Sequence, residues 1–333
     1  MEYYGTIGHA CADRETLRAM YRAGMTGVRL NLSHGGLAEH RDWLELLRAA
    51  ARDAGTSPRL LIDLQGPEVR IGVPPRPLEL AAGDTVTLGQ GDIPAEPWVV
   101  DAVPPGQSLL LDDGRIALTV TGREGAALVC RVARGGPLTA RKSLEAPGLD
   151  LHRDRPALTD ADRANLALAA ECGVTDVMQP FVRSRADLEE LRRALDAAGA
   201  GHVRIHAKIE NADGVRQLEA FFGAADEIVI ARGDLGNAVP LWELPAVQKD
   251  IARRCRAAGV PFMVVTQLLD SMHRRPTPTR AEVCDVYNAV ADGASSLMLT
   301  GETAAGAYPV QAMDWLVRTA EAARGHLYGG CRR

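Results

Sequence analysis

Residues 204–235 read RIHAKIENADGVRQLEAFFGAADEIVIARGDL, and this stretch decides the fold. It contains two short apolar runs rich in β-branched residues, and charged residues end or follow each run: Lys208 and Glu210 the first, Asp234 the second. Parallel barrel strands that end in acidic residues typically present metal ligands at their carboxyl ends. Two carboxylates and a lysine suit a hard divalent cation that holds phosphate or carboxylate oxygens. Two surface salt bridges at strand ends are the alternative.

Apolar runs of this kind recur along the chain and alternate with longer segments of helical periodicity. Continuous apolar strands separated by amphipathic helices predict a parallel sheet covered by helices. Eight such units in about 250 residues, with one insertion set aside, predict an α/β fold of the (β/α)8 TIM barrel type. An open doubly wound sheet is the alternative, but residues 5–8 (GTIG) do not supply its glycine-rich first turn. The predicted strands are residues 3–8, 27–32, 59–64, 176–181, 204–209, 227–231, 261–266 and 295–300, and the main predicted helices are residues 14–23, 37–54, 160–171, 185–198, 245–258, 281–291 and 307–323.

The insertion at residues 73–148 has a different texture from the rest of the chain. Its short alternating runs are broken by Gly, Pro and Asp, which predicts an antiparallel β domain. Because it follows the third predicted strand, we expect it to stand over the active-site mouth as a lid, with a merely decorative domain as the alternative. The barrel domain is then formed by residues 1–72 and 149–333.

Composition excludes several functional classes. Hydrophobic residues make up 46% and charged residues 24%, an ordinary globular balance, and the net charge of −5 comes with no basic run, which argues against nucleic-acid binding. Six scattered cysteines without a CxxC pair are typical of a reducing cytoplasm and give no support to a zinc site. No leader segment and no apolar run of about 20 residues is present. We therefore expect a cytoplasmic protein that binds neither nucleic acid nor membrane.

Polar residues also mark the second and third predicted strands. Arg29, Asn31 and Ser33 alternate with apolar residues and therefore share one face, while Asp63 ends the third strand. Carboxylate, amide and hydroxyl oxygens suit a monovalent cation, and Arg29 with nearby Arg70 suits a phosphoryl group. An alternative is that Asp63 caps the turn that follows it.

The polar strand ends together predict a ring that lacks a His or Cys nucleophile beside an obvious base. That composition favours electrostatic, metal-assisted catalysis on a small anion, with phosphoryl transfer as the leading type. An aldolase or lyase acting on a metal-bound oxoacid enolate fits the same groups. The ring consists of Arg29, Asn31, Ser33, Asp63, Arg70, Lys208, Glu210, Asp234 and Thr266.

Motifs spread over nearly the whole chain resemble the pyruvate kinase family. They occur in the family's order, both in the barrel and in the insertion, and together they are highly specific. The motifs are VRLNLSHG (28–35), DLQGPEVR (63–70), LDDGR (111–115), GGPL (135–138), KIEN (208–211), ARGDLG (231–236), TQLLDSM (266–272), PTPTRAE (276–282) and TGETA (300–304).

This resemblance implies a barrel with a small β-barrel lid that closes over phosphoenolpyruvate, a divalent metal and ADP, and an activity that yields pyruvate and ATP. Glu210 and Asp234 would hold Mg²⁺ or Mn²⁺, which bridges the substrate carboxylate and phosphate. Lys208, assisted by Arg29, would neutralise charge on the phosphoryl group in flight.

The resemblance also implies roles for the remaining ring residues. Backbone amides around Gly233 and Asp234, with the Thr266 hydroxyl, would hold the substrate carboxylate, and Thr266 would belong to the network that protonates the enolate. Glu68 implies dependence on K⁺, because a lysine at this position accompanies independence in the family. K⁺ would be held by Asn31, Ser33, Asp63 and the Leu64 carbonyl, and the nucleotide by Asn31, His34, Arg70, Arg141 and Lys142.

The chain also departs from the family pattern. It stops soon after the eighth helix, so we expect no C-terminal regulatory domain, no allosteric control by sugar phosphates or AMP, and a homodimer through the barrel. His9, Ser143, Pro180 and Ala207 stand where the family usually has Pro, Gly, Ser and Ser. The ring is intact, so we expect metal-dependent oxoacid chemistry to survive. One alternative is reassignment to another phosphoryl acceptor, or to lyase or decarboxylase chemistry. A further alternative is a non-catalytic binding protein.

Overall fold

The computed structural model describes residues 1–112, 114–149, 151–152 and 155–329, apart from the side chain of Tyr328. Asp113 of the 111–115 motif and Cys331 therefore lie outside the described residues. The chain divides into two compact units. The first comprises Met1–Gly66, Ala157–Leu235 and Glu243–Arg333, and the second comprises Pro67–Pro156 and Gly236–Trp242.

Eight of the strands form a closed parallel barrel, which confirms the predicted fold class. The strands are, in chain order, β1 (Glu2–Thr6), β2 (Gly27–Asn31), β3 (Arg59–Asp63), β4 (Leu78–Leu80), β5 (Thr85–Gly89), β6 (Ile93–Pro94), β7 (Ser108–Leu111), β8 (Ile116–Glu124), β9 (Ala127–Arg134), β10 (Gly136–Leu138), β11 (Leu144–Glu145), β12 (Asp176–Gln179), β13 (Arg204–Ile209), β14 (Glu227–Ala231), β15 (Phe262–Val265) and β16 (Ser296–Leu299). The barrel order is β1-β16-β15-β14-β13-β12-β3-β2. The strands predicted at 176–181 and 261–266 end early, because Phe181 and Thr266 have positive φ angles of 51° and 78° that an extended strand cannot contain.

Most of the helices lie in the first unit. They are, in chain order, α1 (Arg14–Arg22), α2 (Arg41–Ala54), α3 (Pro97–Ala102), α4 (Asp160–Ala167), α5 (Ala169–Cys172), α6 (Arg185–Ala197), α7 (Ala212–Arg216), α8 (Leu218–Phe221), α9 (Arg232–Ala238), α10 (Leu244–Ala258), α11 (Arg280–Ala291), α12 (Gly301–Ala304) and α13 (Pro309–Tyr328). The helix predicted at 160–171 is interrupted at Leu168, whose amide bonds to the Asn165 carbonyl and ends α4. None of the helices in the described ranges is long and apolar enough to cross a membrane.

The barrel interior is apolar in its middle and charged at both ends. Alternate strand residues point inward, since side chains on a strand alternate between its two faces. The same alternation places Lys208 at the carboxyl end of β13 and Arg204 at its amino end, with His206 between them. The apolar middle consists of Tyr4, Leu61, Met178, Val229, Ala231, Met263, Val265 and Met298.

The second unit contains a six-stranded sheet in the order β11-β7-β8-β9-β5-β6 and a two-stranded sheet of β10 and β4. Most of its pairs are antiparallel, β5 and β6 being parallel; the resemblance implies a small β-barrel here. The unit begins at Pro67, earlier than the predicted residue 73. Backbone hydrogen bonds from Ile71 to Lys142 (2.9 Å) and from Leu144 to Val69 (2.8 Å) account for this earlier start.

Candidate active site

Four of the predicted ring residues meet in one ion-pair cluster at the carboxyl ends of β2, β3 and β13. The Lys208 ammonium lies 3.3 Å from Oδ2 of Asp63 and 3.0 Å from Oε1 of Glu210. Arg29 donates to the same Asp63 oxygen from Nη2 (2.6 Å) and Nε (2.9 Å). The exposed fractions of these four side chains are only 2–14%, so the cluster is not a set of surface salt bridges.

The cluster keeps its charges because its members compensate for one another. Burial of the Lys208 ammonium by itself favours the neutral form, but the carboxylates of Asp63 and Glu210, with a further contribution from Asp234, raise its pKa. Burial likewise opposes ionisation of Asp63, but Lys208 and Arg29 lower its pKa. The site therefore presents the charged Lys208 ammonium beside the ionised Asp63 carboxylate.

Glu210 and Asp234 are the residues that could hold a divalent cation. Glu210 is buried, and its Oε2 accepts a hydrogen bond from the Phe181 amide at 2.9 Å. Asp234 is half-buried in the first turn of α9 and acts electrostatically on Lys208. In the part of the chain that the structure describes, no three His, Cys, Asp or Glu residues form a complete metal site. Two carboxylates do fit Mg²⁺, which usually takes its other ligands from water and substrate oxygens.

Two of the side chains expected to hold K⁺, those of Asn31 and Asp63, already have protein partners. Oδ1 of Asn31 accepts a hydrogen bond from the Ser33 amide at 3.1 Å. Asp63 is engaged with the two cations of the cluster rather than with the turn after β3. It does not cap that turn.

Asp162, a residue that the sequence analysis missed, caps the turn after β3 instead. Its buried carboxylate accepts from the Gln65 amide at 2.8 Å and from the Gly66 amide at 3.0 Å. The same carboxylate accepts from the amide and the hydroxyl of Thr159 in a capping box at the start of α4. The Thr-x-x-Asp spacing was the available signal, but the spacing does not reveal the contact with a turn nearly 100 residues away.

Thr266 and Gly233 lie next to each other at the ends of β15 and β14. A Cβ atom at Gly233 would stand 3.4 Å from Cγ2 and 3.8 Å from Oγ1 of Thr266. The Thr266 carbonyl accepts two hydrogen bonds from Arg232, a residue to which the sequence analysis gave no role. The structure thus places the Thr266 side chain beside the backbone that leads to Asp234.

The expected nucleotide residues fall in both units. His34 is exposed at the end of the 3-10 turn Leu32–His34 in the first unit. In the second unit, Arg70 donates to the Arg141 carbonyl (2.7 Å) and to the Glu68 carboxylate (2.8 Å). Lys142 pairs with Asp112 at 2.7 Å, and Arg141 has a φ angle of 60°.

The positions that depart from the family pattern have different surroundings. His9 is exposed, whereas Ala207 and Ser143 are buried, and Ser143 forms a backbone bridge with Arg70. Pro180 packs on Gly66, where an added Cβ would lie 2.4 Å from the proline Cγ. That contact makes the turn after β3 dependent on a glycine, whose φ angle is 57°.

Fold and site together define a (β/α)8-barrel protein with a buried lysine–carboxylate centre at the carboxyl ends of its strands. More particularly, the chain belongs to the pyruvate kinase family, since residues 2–313 match the family model described as "Pyruvate kinase, barrel domain". The resemblance carried by the sequence motifs is thereby confirmed.

Individual relatives agree with the family match. The chain is 38% identical over 319 residues to the pyruvate kinase of Geobacillus stearothermophilus. This match covers 92% of the chain and 54% of the relative. It is 35% identical over 336 residues to that of Clostridium acetobutylicum (97% and 70%) and 40% identical over 334 residues to that of Agrobacterium vitis (97% and 68%). The chain spans about half the length of the Geobacillus stearothermophilus and Bacillus licheniformis proteins.

Proposed function

We propose that the protein is a phosphotransferase that moves the phosphoryl group of phosphoenolpyruvate to ADP, giving pyruvate and ATP. The observation that carries this proposal is the largely buried Lys208 ammonium held between Asp63 and Glu210, with Arg29 on the same Asp63 carboxylate. Cations fixed before the reaction stabilise a transferring phosphoryl group without reorganisation during the step. Membership of the pyruvate kinase family supports the choice of substrate pair.

The reaction needs charge neutralisation and alignment rather than a protein nucleophile. The bond between phosphorus and the enol oxygen breaks, a bond to the terminal phosphate oxygen of ADP forms, and the resulting enolate takes a proton at its methylene carbon. Lys208 and Arg29 provide positive charge where the phosphoryl group moves. Glu210 and Asp234 would hold Mg²⁺ or Mn²⁺, which when bound would supply further neutralisation of the substrate oxygens.

The neighbouring end of the barrel suits the substrate carboxylate. Backbone amides at Gly233 and Asp234 begin α9, and a helix start favours a negative group. The Thr266 side chain lies beside Gly233, where its hydroxyl can orient the carboxylate and join the network that protonates the enolate. This geometry supports a small oxoacid as the substrate.

K⁺ and nucleotide binding complete the proposal. Asn31, Ser33, Asp63 and the Leu64 carbonyl offer oxygen donors for K⁺, and Glu68 is the expected determinant of the requirement. The residues proposed to bind the nucleotide are Asn31, His34, Arg70, Arg141 and Lys142.

The first experiment measures pyruvate release from phosphoenolpyruvate with Mg²⁺ and K⁺, with ADP present and then omitted. ADP-dependent pyruvate with an equal amount of ATP is the expected result. Pyruvate without ADP, or no pyruvate with it, would mean that the chemistry is reassigned to another acceptor or to lyase or decarboxylase chemistry.

The role of Lys208 is tested by Lys208→Met with Lys249→Met as the matched control. Lys249 is exposed on α10, pairs with Asp292 and is not a member of the ring. We expect Lys208→Met to lower turnover by at least ~10³-fold while Mn²⁺ affinity stays within a few-fold, because the transition-state cation is lost and the carboxylates remain. Lost Mn²⁺ affinity with retained turnover would contradict the assignment.

We also propose a cytoplasmic homodimer. The cytoplasmic location is supported by free thiols, at Cys11, Cys130, Cys172, Cys255 and Cys284. The dimer is supported by the adjacent apolar side chains of Leu241 (70% exposed) and Trp242 (83% exposed), which a second copy would cover. Light scattering of wild type and Trp242→Glu tests the dimer, which the substitution should weaken.

A further inference from the structure

The backbone at Thr266 is held in a conformation that a β-branched residue rarely adopts. Its φ angle is 78°, and that of Gln267 is 55°, so two consecutive non-glycine residues lie in the left-handed region. Such a conformation costs of order 1–3 kcal/mol per residue and persists only when the surroundings enforce it. Something must therefore hold this segment at the end of β15.

Arg232 supplies that restraint from the neighbouring strand end. Its Nη2 and Nε donate to the Thr266 carbonyl at 2.6 and 3.1 Å, so both donors on one edge of the guanidinium point at one oxygen. Its Nη1 donates to Oδ2 of Asp285 on α11 at 2.7 Å. The Arg232 side chain is 13% exposed, and it joins β14, β15 and α11 through three hydrogen bonds.

The same contacts set the spacing between the two groups that face the substrate carboxylate. Arg232 directly precedes Gly233 in the chain. Its side chain donates to the carbonyl of Thr266, whose hydroxyl lies beside Gly233. A guanidinium is planar and offers donors in a fixed fork, so it fixes distance and orientation together, which an ammonium cannot.

We propose that Arg232, oriented by Asp285, is a positioning residue. It holds the Thr266 hydroxyl at the distance and orientation from the Gly233–Asp234 backbone that an oxoacid carboxylate requires. This inference rests on the proposed function. Neither side chain touches the substrate; each acts through Thr266. The recognised ligand class is a small carboxylate with an adjacent oxygen, bound together with a divalent cation.

The variants are Arg232→Lys, Asp285→Asn and the two combined, with Asp292→Asn as the matched control. Asp292 is the C-cap of α11 and also binds a cation, Lys249, at 2.6 Å, but it lies beyond the carboxyl end of the helix, whereas Asp285 lies in its middle. Two readouts are used: the kcat and KM for phosphoenolpyruvate and for ADP, and calorimetric binding of oxalate in the presence of Mg²⁺, which requires no turnover.

Arg232→Lys is expected to raise the KM for phosphoenolpyruvate and weaken oxalate binding by roughly tenfold, while the KM for ADP changes by less than about twofold. Asp285→Asn should produce a smaller change in the same direction. The double variant should be no worse than Arg232→Lys alone, because Asp285 acts only through Arg232. Asp292→Asn should match wild type.

The outcomes separate this inference from the proposed function. If wild type turns over phosphoenolpyruvate and binds oxalate, unchanged oxalate affinity in Arg232→Lys overturns the positioning role. Additive losses in the double variant overturn the route through Arg232. If Arg232→Lys weakens ADP binding as much as oxalate binding, the effect is not local to the carboxylate site, and general destabilisation explains it instead. If wild type neither releases pyruvate nor binds oxalate, the proposed function fails and this inference falls with it.

Discussion

His206 should make the stability of the barrel depend on pH in the neutral to alkaline range. Its imidazole is fully buried, with Nε2 2.9 Å from Oδ1 of Asp176 and Nδ1 3.1 Å from Oε2 of Glu227. Burial favours the neutral ring, but the two carboxylates prevail and raise the pKa from 6.5 to about 9. Arg59 and Arg204 pair with Asp176, and Thr175 donates to it. Ser295 and Ser296 donate to Glu227, and the Tyr4 hydroxyl also faces the cluster, where it accepts from Arg204.

The sign and size of the effect follow from that shift. A His pKa that is higher in the folded state gives stability that is fully present below the unfolded value and is lost as the pH rises through the folded value. At 1.36 kcal/mol per unit, the rise from 6.5 to about 9 corresponds to ~3 kcal/mol lost between these pH values. The lowered pKa values of Asp176 and Glu227 describe the same charge pairs from the carboxylate side, so this energy is counted once.

The assay is denaturant unfolding of wild type, His206→Gln and His202→Gln at pH 6.5, 7.5 and 9. Circular dichroism at 222 nm follows the helices, most of which belong to the first unit. The stability difference between wild type and His206→Gln should shrink by ~3 kcal/mol from pH 6.5 to pH 9. His202 is exposed, so His202→Gln should follow wild type at every pH.

An equal pH dependence in wild type and His206→Gln would refute the reasoning, because it would mean that His206 has similar pKa values in the folded and unfolded states. If His206→Gln does not fold, the wild-type curve still decides: a free energy of unfolding that does not fall between pH 6.5 and 9 excludes a contribution of this size.

Three further predictions concern the turn after β3 and the ion requirement. Asp162→Ala should destabilise the protein by roughly 2–4 kcal/mol in denaturant unfolding, because the amides of the turn lose their acceptor. Asp160→Ala, on the exposed side of the same helix start, should cost under about 1 kcal/mol, and equal losses in the two variants would contradict this prediction. Gly66→Ala should lower the melting temperature, because its Cβ would meet Pro180 at 2.4 Å and its φ angle is 57°, and Pro180→Ser should restore part of the loss in the double variant. Glu68→Lys should make turnover independent of K⁺ when tetramethylammonium replaces it, and a retained requirement would show that another residue sets it.

The barrel could be predicted from the sequence because most of its strands are short apolar runs separated by segments of helical periodicity. The observed strands β13 and β14 have the predicted bounds. The meeting of Arg29, Asp63 and Lys208 was also predictable, because carboxyl ends of parallel strands converge at one end of a barrel. The pairing of Asp63 with both Lys208 and Arg29 was not predictable, since ion pairs depend on side-chain distances that strand order does not specify.

The charged amino-terminal end of the barrel was missed. Arg204, His206 and Lys208 alternate along one strand, which places all three on the inward face, but the run was interpreted as apolar up to its carboxyl end. Asp176 and Glu227 each begin a strand and would have completed the pattern. The membership of Gly236–Trp242 in the second unit had no local signal, because it depends on contacts between segments distant in sequence.

Both ends of the barrel carry buried ion pairs, yet only one end is suited to chemistry. At the amino-terminal end the His206 ring faces a carboxylate at each nitrogen and has no exposed surface, so any ligand would first have to break an existing pair. At the carboxyl end the side chains of Arg29 and Lys208 remain 12% and 14% exposed, and Asp234 is half-buried. On the proposed function, Glu210 would turn from Lys208 to a divalent cation, and the lysine would then face an anionic substrate. The ion pairs of Arg29 and Lys208 near solvent can therefore exchange one partner for another. The fully buried pairs of His206 at the amino-terminal end only stabilise the fold.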